Sequence, residues 1–458
     1  MTSLSDIKRR TLFALLAGYL LFDYAFMQIR IPPSGFGVPL GEIFLIFVLM
    51  TTDIPLVLSR LSSIVYLLPF LVWWTYGIGR AADDAMGRGF WALRDATSVI
   101  ESLYVIVGFA IAGGTNTIER LARWLPIILA ITCVYGLGYA FKSEIQAISP
   151  SVIGAAREPL PLLGDYAITG TVMLWTAFYC LIVSWKAGIW RHLRVPIAGL
   201  LIAFVITIIQ ARTSYLQLLG IVVILLLFRP RAIGRLAVAL PILFFFVFVV
   251  SAFDLHIAGR LSDKVSFSFL AEHIETIFGI GTNDPGSLGM AAQGVDMRFG
   301  WWETIYERLT ADSATLLTGL GYGIPLTNFH DEFGDLVREP HNSYISVVAR
   351  LGVLGFVAWA WMQVELFRGW LRAYRASQRA RWQDGEIVLL MIVAFAVLVL
   401  IEAIGEDALE KPYHAIPLYT LWGMALRIAY AFNESACIKT DAPAPAQHFA
   451  RKAGASSQ

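Results

Sequence analysis

A histidine, His341, stands where a long polar interval of this sequence gives way to an apolar stretch. Asn342 or Ser343 has a side chain suited to cap the helix that the apolar stretch predicts. The positive end of that helix dipole disfavours an imidazolium, so we expect His341 to be neutral, as a general base requires. Glu339 is expected either to orient the ring or to compete with it as the base. The alternative is a histidine with a purely structural role at the helix start.

Two arginines, like His341, stand near the ends of predicted helices. The apolar stretch between the basic segments 191–194 and 229–231 is too long for one crossing of ~17–25 residues, so the chain must cross, turn and return, and Arg212 lies in that turn. Arg298 shares a predicted helix face with Trp302. A guanidinium offers paired donors to phosphate oxygens. Each arginine therefore either faces an anionic ligand within the protein or extends to water and lipid headgroups.

Acidic residues give weaker indications of a functional site. Asp83 and Asp84 have the side-chain type that binds divalent metals, but we interpret them as part of a solvated turn. Glu402 lies inside an apolar stretch and should face protein rather than lipid. The polar segment after it is expected either to line an outer cavity or to form an exposed loop; its ionisable residues are Glu406, Asp407, Glu410, Lys411 and His414.

Membrane-spanning helices must position these residues. Hydrophobic residues make up 57% of the 458 residues and charged residues only 15%, whereas soluble domains carry about 25% charged residues. Apolar runs long enough to cross ~30 Å of hydrocarbon recur along the chain. The net charge of +1 gives no indication of a nucleic-acid partner. We predict an all-α polytopic membrane protein with about twelve transmembrane helices, at approximately 11–29, 37–53, 61–79, 95–113, 123–141, 168–185, 195–211, 214–228, 235–253, 343–367, 387–405 and 415–432.

Basic clusters at the ends of alternate spans favour cytoplasmic termini, because Lys and Arg concentrate in cytoplasmic loops. One large loop then lies on the outer side. Apolar residues at helical spacing around Phe267 and Trp301 predict two amphipathic helices in it, joined by ordered turns at 281–286 and 319–323. The predicted organisation is helices one to nine in 1–253, the outer loop in 254–342, helices ten to twelve in 343–433 and a disordered tail in 434–458.

Three segments between Gln210 and Gly355 resemble the O-antigen ligase/polymerase superfamily, whose members move lipid-linked glycans at the periplasmic face. Ala211 departs from the serine that many relatives have before the arginine, but the arginine is in place. The matching segments are Gln210-Ala-Arg212-Thr-Ser-Tyr215, Arg298-Phe-Gly-Trp-Trp302 with Gly319-Leu-Gly-Tyr-Gly323, and Pro340-His-Asn-Ser-Tyr-Ile345 with Arg350-Leu-Gly-Val-Leu-Gly355.

The resemblance implies a GT-C-like bundle in the bacterial inner membrane, with the large loop and the active site facing the periplasm. It implies transfer of a glycan from undecaprenyl diphosphate to a hydroxyl of lipid A-core or of a growing polysaccharide. The reaction is expected to be inverting and to need neither a metal nor a cofactor. His341 is then the catalytic base, and Arg212 and Arg298 bind the diphosphate. The supporting residues are expected to be Glu339, Asn342 and Trp302.

The acceptor decides between related activities, and the sequence does not separate them. A ligase attaches the glycan to lipid A-core, a polymerase adds it to another lipid-linked repeat, and a third branch glycosylates protein. The well-formed histidine segment favours the ligase, with an O-antigen or exopolysaccharide polymerase as the alternative. A glycan transporter is the alternative from another class, although the sequence shows no repeat halves and transport has no need of a large structured loop.

Overall fold

Apolar helices account for most of the structure, a computed structural model that describes residues 3–33, 37–113, 117–152, 159–183, 190–257, 259–262, 265–276, 287–330 and 336–437. Within these ranges, seven helices are long and apolar enough to cross a membrane, and one bent helix pair would make an eighth crossing. Three further apolar helices contain 10–17 residues each. The all-α, multi-pass membrane fold is therefore confirmed, while the number of twelve crossings stays a prediction.

The first half of the chain contains helices and two pairs of very short strands. Strand β1 (Arg30–Ile31) pairs antiparallel with β2 (Val38–Pro39), and β3 (Ser151–Val152) pairs antiparallel with β4 (Leu160–Pro161). A 3-10 turn, Leu137–Phe141, joins the helices Thr117–Gly136 and Lys142–Ala147. The helices are α1 (Leu4–Met27), α2 (Leu40–Met50), α3 (Ile54–Ser62), α4 (Leu68–Arg88), α5 (Phe90–Asp95), α6 (Thr97–Ser102), α7 (Tyr104–Ile111), α8 (Thr117–Gly136), α9 (Lys142–Ala147) and α10 (Thr169–Ile182).

The second half contains the predicted loop helices between two groups of membrane helices. Two helices, Phe267–Glu275 and Ser287–Thr310, are present where the two loop helices were predicted. The turn predicted at 281–286 and the tail beyond Cys437 lie outside the described residues. The helices are α11 (Trp190–Phe204), α12 (Thr213–Phe228), α13 (Ile233–Ala252), α14 (Phe267–Glu275), α15 (Ser287–Thr310), α16 (Ser313–Thr318), α17 (Ser343–Arg379), α18 (Gln383–Gly405) and α19 (Pro412–Cys437). Short turns of other helix types are the π turn Val205–Ile209 and the 3-10 turns Pro230–Ala232 and Ala408–Glu410.

Small residues let helices α7 and α19 approach closely in the core. A Cβ added to Gly108 would lie 2.0 Å from Thr420 O, and one added to Gly423 would lie 2.2 Å from Val105 O. No side chain larger than a hydrogen atom fits at either position without moving a backbone. Close packing of this kind takes the place of the hydrophobic effect between helices in lipid, where the surrounding chains are as apolar as the protein.

The bundle has two distinct ends. At one end, Arg229 donates a hydrogen bond to Glu386 Oε2 at 2.5 Å, and Arg235 donates to Leu181 O at 2.6 Å, so basic residues gather there. The opposite end contains the start of α17 and the end of α18, which are joined by a hydrogen bond from Asn342 Nδ2 to Ile404 O at 2.9 Å. We call this second end the site end.

Asp83 and Asp84 lie in the last turns of helix α4, so the prediction of a turn is wrong. Asp83 is solvated, as predicted, but Asp84 is not. Asp84 is buried, lies 3.1 Å from Arg80 Nε, and accepts a hydrogen bond from the backbone N–H of Tyr322 at 2.8 Å. Its carboxylate therefore anchors the glycine-rich turn 319–323, whose three glycines all have positive φ. The other oxygen of the Asp84 carboxylate, Oδ1, lies within ion-pair distance of a second arginine. Both oxygens of Asp84 therefore have protein partners.

A buried charge network fixes the chain just before His341. Arg350, in α17, is 3% exposed; its Nη2 lies 2.9 Å from Glu339 Oε1 and 3.0 Å from Asp95 Oδ2. Arg338 Nη2 pairs with the same Asp95 oxygen at 2.8 Å. Because every member is paired, the charges offset one another away from water. We call these four residues the Arg350 network.

We predict that Arg350→Met destabilises the protein by about 3–5 kcal/mol, because Glu339 loses its cation and Asp95 keeps only Arg338 as a partner. Thermal unfolding of the purified protein in detergent measures this as a lower midpoint. Arg375→Met is the matched control, since Arg375 is an exposed arginine of the same helix. Equal midpoints for the two variants would show that the Arg350 network does not hold the loop.

Candidate functional site

The turn predicted at Arg212 is present, and Gln210 shapes it. Helix α11 ends in the π turn Val205–Ile209, after which Gln210 adopts the left-handed conformation with φ 51°. Its side-chain oxygen accepts a hydrogen bond from the backbone N–H of Leu261 at 2.6 Å. The segment that follows α13 is thereby held against the turn, which brings Arg260 to the same cavity as Arg212.

Arg212 is the N-cap residue of α12 and lies at the site end. Its Nη1 donates to Thr276 O at 3.4 Å, which connects it to the end of loop helix α14. Burial, together with repulsion from Arg298 and Arg260, lowers the pKa of Arg212 to about 10, although Glu406 acts in the opposite direction. The side chain is therefore charged at neutral pH and lies in a field of like charges. An anion placed there would relieve that repulsion.

Arg298 joins the loop helix α15 to the end of α18. Its Nη1 donates to Gly405 O at 2.8 Å, and its Nη2 lies 3.6 Å from Glu406 Oε1. The carbonyls at the C-terminus of a helix carry partial negative charge, so a guanidinium is stabilised there. Arg298 is consequently held inside the protein rather than extended into lipid headgroups.

His341 is positioned by contacts on both sides. Of the two predicted capping residues, Asn342 is the N-cap of α17: its Oδ1 accepts from the backbone N–H groups of Tyr344 and Ile345 at 3.0 and 3.1 Å. On the other side, Trp302 Nε1 donates to Pro340 O at 3.0 Å. Between these anchors His341 has φ 51°, a conformation that costs energy for a residue with a side chain and recurs at functional sites.

The ring of His341 faces two carboxylates at the α18–α19 junction. Its Nδ1 lies 3.3 Å from Asp407 Oδ2 and 3.4 Å from Glu406 Oε2. Nε2 is consequently the ring nitrogen left to meet a substrate. Glu406 also contacts Arg298, so one carboxylate connects a predicted cation with the predicted base.

The expectation that His341 is neutral is wrong. Burial by itself would lower the pKa of His341, but the carboxylates of Asp407 and Glu406 outweigh it and raise the pKa to about 9. Burial likewise acts to raise the pKa of Glu406, but His341 and Arg298 lower it to about 2. The two carboxylates come from a distant part of the sequence, and their charges are stronger than the helix dipole on which the expectation was based.

Glu339 does not have the role that the sequence suggested. Its carboxylate is engaged by Arg350 and accepts a hydrogen bond from Ser346 Oγ at 3.2 Å. Asp407 and Glu406 occupy the position beside the ring that was expected for Glu339. Glu339 therefore supports His341 indirectly, through the Arg350 network.

A cavity of about 520 Å³ brings the predicted residues together. Its charged wall contains Arg212, Arg260, Arg298 and Glu406, with His341 and Glu402 beside them. Its larger apolar lining residues, which we call the apolar wall, are mostly aromatic: Leu216, Met297, Phe299, Trp301, Trp302, Phe329 and Ile404. We call it the arginine cavity. Three cations beside an apolar wall suit a ligand with an anionic head and a hydrocarbon chain.

Most residues that line the arginine cavity lie in a segment of the chain that matches a known protein family. Residues 197–360 match the family model described as O-antigen ligase. This segment is similar to the O-antigen ligase family. The match confirms the predicted relationship and contains all three arginines of the cavity and His341, while Glu406 and Asp407 lie outside it. Comparison with curated proteins gives no match.

Several residues of the arginine cavity have contacts that the sequence did not reveal. Arg260 was missed, because it stands in a short segment with no motif. Hydrogen bonds to the turn place that segment, among them those from Arg260 N–H to Ile208 O at 3.1 Å and from Leu261 N–H to Gln210 Oε1. Glu402 faces protein, as predicted, and accepts from Thr213 Oγ1 and Gln217 Nε2, each at 2.9 Å.

The polar segment 406–414 lines cavities, so the alternative of an exposed loop is wrong. Asp407 is 2% exposed and His414 is 3% exposed. In the part of the chain that the structure describes, no group of three or more His, Cys, Asp or Glu side chains is arranged to hold a metal ion. Independence of a metal nevertheless stays a prediction.

We predict that His341 titrates near pH 9 and that Asp407→Asn lowers its pKa by about one unit or more, because one of the two stabilising charges is lost. Histidine-selective ¹⁵N labelling and NMR titration in detergent measure this, with His341→Ala assigning the resonance. His330→Ala is the control, since His330 is an exposed histidine of the same loop. A His341 pKa near 6.5 in both the unsubstituted protein and Asp407→Asn would contradict the assignment.

Proposed function

We propose that this protein transfers a glycan from undecaprenyl diphosphate to an acceptor hydroxyl at the periplasmic face of the bacterial inner membrane, in the manner of an O-antigen ligase. One observation carries the proposal. Arg212, Arg260 and Arg298 line one cavity together with His341, and the same cavity has an apolar wall. A lipid-linked diphosphate has a matching combination of negative charge and hydrocarbon.

The arginines are proposed to bind the diphosphate. Arg298 is fixed by Gly405 O, and Arg212 is held against the end of α14, so both guanidinium groups are ordered before the ligand arrives. Preorganised cations stabilise a developing negative charge with little reorganisation during the reaction. Their charge can neutralise the leaving diphosphate without a metal ion, which is the physical reason for expecting metal independence.

His341 is proposed to act as the general base. Nε2 takes the proton of the acceptor hydroxyl while the acceptor oxygen forms a bond to the anomeric carbon of the donor sugar. The bond from that carbon to the diphosphate oxygen breaks, and the electron pair leaves with the diphosphate. Attack from the side opposite the leaving group inverts the anomeric configuration.

The carboxylates of Asp407 and Glu406 explain how a histidine with a raised pKa serves as a base. They stabilise the imidazolium that forms as the proton is taken, as a carboxylate does beside the histidine of a catalytic triad. With a pKa of about 9, roughly one molecule in a hundred carries a neutral imidazole at pH 7. That neutral ring is a strong base, and its population rises with pH.

The acceptor is proposed to be lipid A-core, with a growing polysaccharide as the alternative. In a deletion strain, full-length glycan left on undecaprenyl diphosphate would indicate a ligase. Single repeats in place of long chains would indicate a polymerase. Unchanged glycan length and attachment would instead favour a transporter or another role.

We predict that His341→Ala, Arg212→Gln and Arg298→Gln each fail to restore the surface glycan when expressed in the deletion strain. Loss of one preorganised donor should slow transfer on the order of 100-fold or more. The measurement is gel separation of surface glycan by size and by attached lipid, with the level of each variant in the membrane checked in parallel.

The matched controls for these variants are His330→Ala and Arg375→Gln, which remove an exposed histidine and an exposed arginine outside the arginine cavity. Both should restore the glycan fully. Normal surface glycan in cells that express His341→Ala would show that His341 has no catalytic role.

We also predict that the transfer rate of purified protein rises with pH up to about 9, because the neutral form of His341 is the base. Asp407→Asn should move this rise to lower pH, since its His341 holds a proton less tightly. The assay measures undecaprenyl diphosphate released per unit time, with EDTA present throughout.

Two results would contradict this account. A transfer rate that falls as pH rises from 7 to 9 would show that His341 acts in its protonated form. It would then be a further cation that binds the diphosphate and not a base. A loss of activity on adding EDTA would show that the reaction needs a metal ion.

A further inference from the structure

A second cavity, of about 310 Å³, adjoins the arginine cavity. The two share Ala211, Arg260, Glu402 and Glu406, so a ligand can extend from one to the other. The remaining walls come from the α8–α9 junction and from the starts of α10, α12 and α19, all at the site end. The volume is within the range of small-ligand sites, which begins at about 300 Å³.

The walls of the second cavity are polar and aromatic rather than apolar. Tyr139 and Tyr166 line it with ring centroids 5.3 Å apart, and Tyr135 stacks on Tyr166 from behind at 5.0 Å. Asp165 and Lys142 add a carboxylate and an ammonium group. Aromatic faces pack against C–H groups while carboxylates and amines bond to hydroxyl groups.

Buried polar groups in this cavity have no hydrogen-bond partner among the described residues. Gln217 is 0% exposed and its Oε1 is unpaired, while its Nε2 makes three hydrogen bonds. His414 is 3% exposed, and neither of its ring nitrogens has a partner in the described part of the chain. Buried groups in native proteins are nearly always paired, so these acceptors and donors point to a hydroxyl-rich ligand.

We infer that the second cavity is a saccharide subsite that holds a sugar ring beside the diphosphate. The inference rests on the proposed function, because the shared boundary at Arg260 and Glu406 is where a diphosphate would end and a sugar begin. The hydrocarbon chain lies against the apolar wall of the arginine cavity. The ring comes either from the donor glycan or from the acceptor, and both present the same chemistry.

The experiment uses the full-length protein in detergent with His414→Leu and Tyr139→Leu. The His414 side chain makes no hydrogen bond with the described residues and Tyr139 is partly exposed, so neither change removes a buried pairing. His192→Leu and Tyr306→Leu are the matched controls, because both side chains are exposed outside this cavity. The probes are undecaprenyl diphosphate and the lipid-linked repeat extracted from the deletion strain, and the acceptor KM is measured separately.

A donor sugar in the subsite would lower the affinity of both variants for the lipid-linked repeat about tenfold or more and leave the affinity for undecaprenyl diphosphate unchanged. An acceptor sugar would raise the acceptor KM by a similar factor and leave both lipids bound as before. Either result supports the subsite and identifies the source of the ring.

If neither the affinity for the repeat nor the acceptor KM changes, the subsite is overturned while the proposed function stands. If the unsubstituted protein binds neither lipid, or if Arg298→Gln binds undecaprenyl diphosphate equally well, the proposed function itself fails. The two failures therefore give different results.

Discussion

Arg350 lies inside the bundle and bridges the carboxylates of Asp95 and Glu339. Its charge is tolerable at membrane depth only because both partners are present, and they come from helix α5 and from the chain before α17. The bridge therefore fixes the segment that leads to His341. Asn342 caps α17 and Trp302 donates a hydrogen bond to Pro340 O, so contacts on both sides hold the left-handed backbone of His341. The ring of His341 then lies beside the end of α18.

Two carboxylates at the end of α18 contact the charged groups of the site. Glu406 lies between Arg298 and His341, and Asp407 contacts the same imidazole, so the base and one cation share a carboxylate. Arg212 and Arg260 add positive charge across the arginine cavity. The cavity therefore combines a region that attracts an anion with a histidine whose proton is held by neighbouring carboxylates. A phosphate-bearing lipid and a hydroxyl acceptor need these two properties next to each other.

The sequence predicted the helices, the turn at Arg212 and the cap at Asn342, because apolar run length and local capping chemistry determine them. It could not predict the protonation of His341, since Glu406 and Asp407 lie beyond the whole of α17 and α18. Arg260 was invisible for a similar reason: a side chain of Gln210 holds its segment in place. Asp84 was misread because its partners, such as the backbone of Tyr322, become neighbours only on folding.

The most direct test of the central claim is an electron cryomicroscopy structure of the protein with undecaprenyl diphosphate. The account predicts diphosphate density in contact with Arg212 and Arg298, with the hydrocarbon chain along the aromatic wall and the diphosphate within reach of His341. Diphosphate density outside the arginine cavity, at a concentration that saturates binding, would contradict the account.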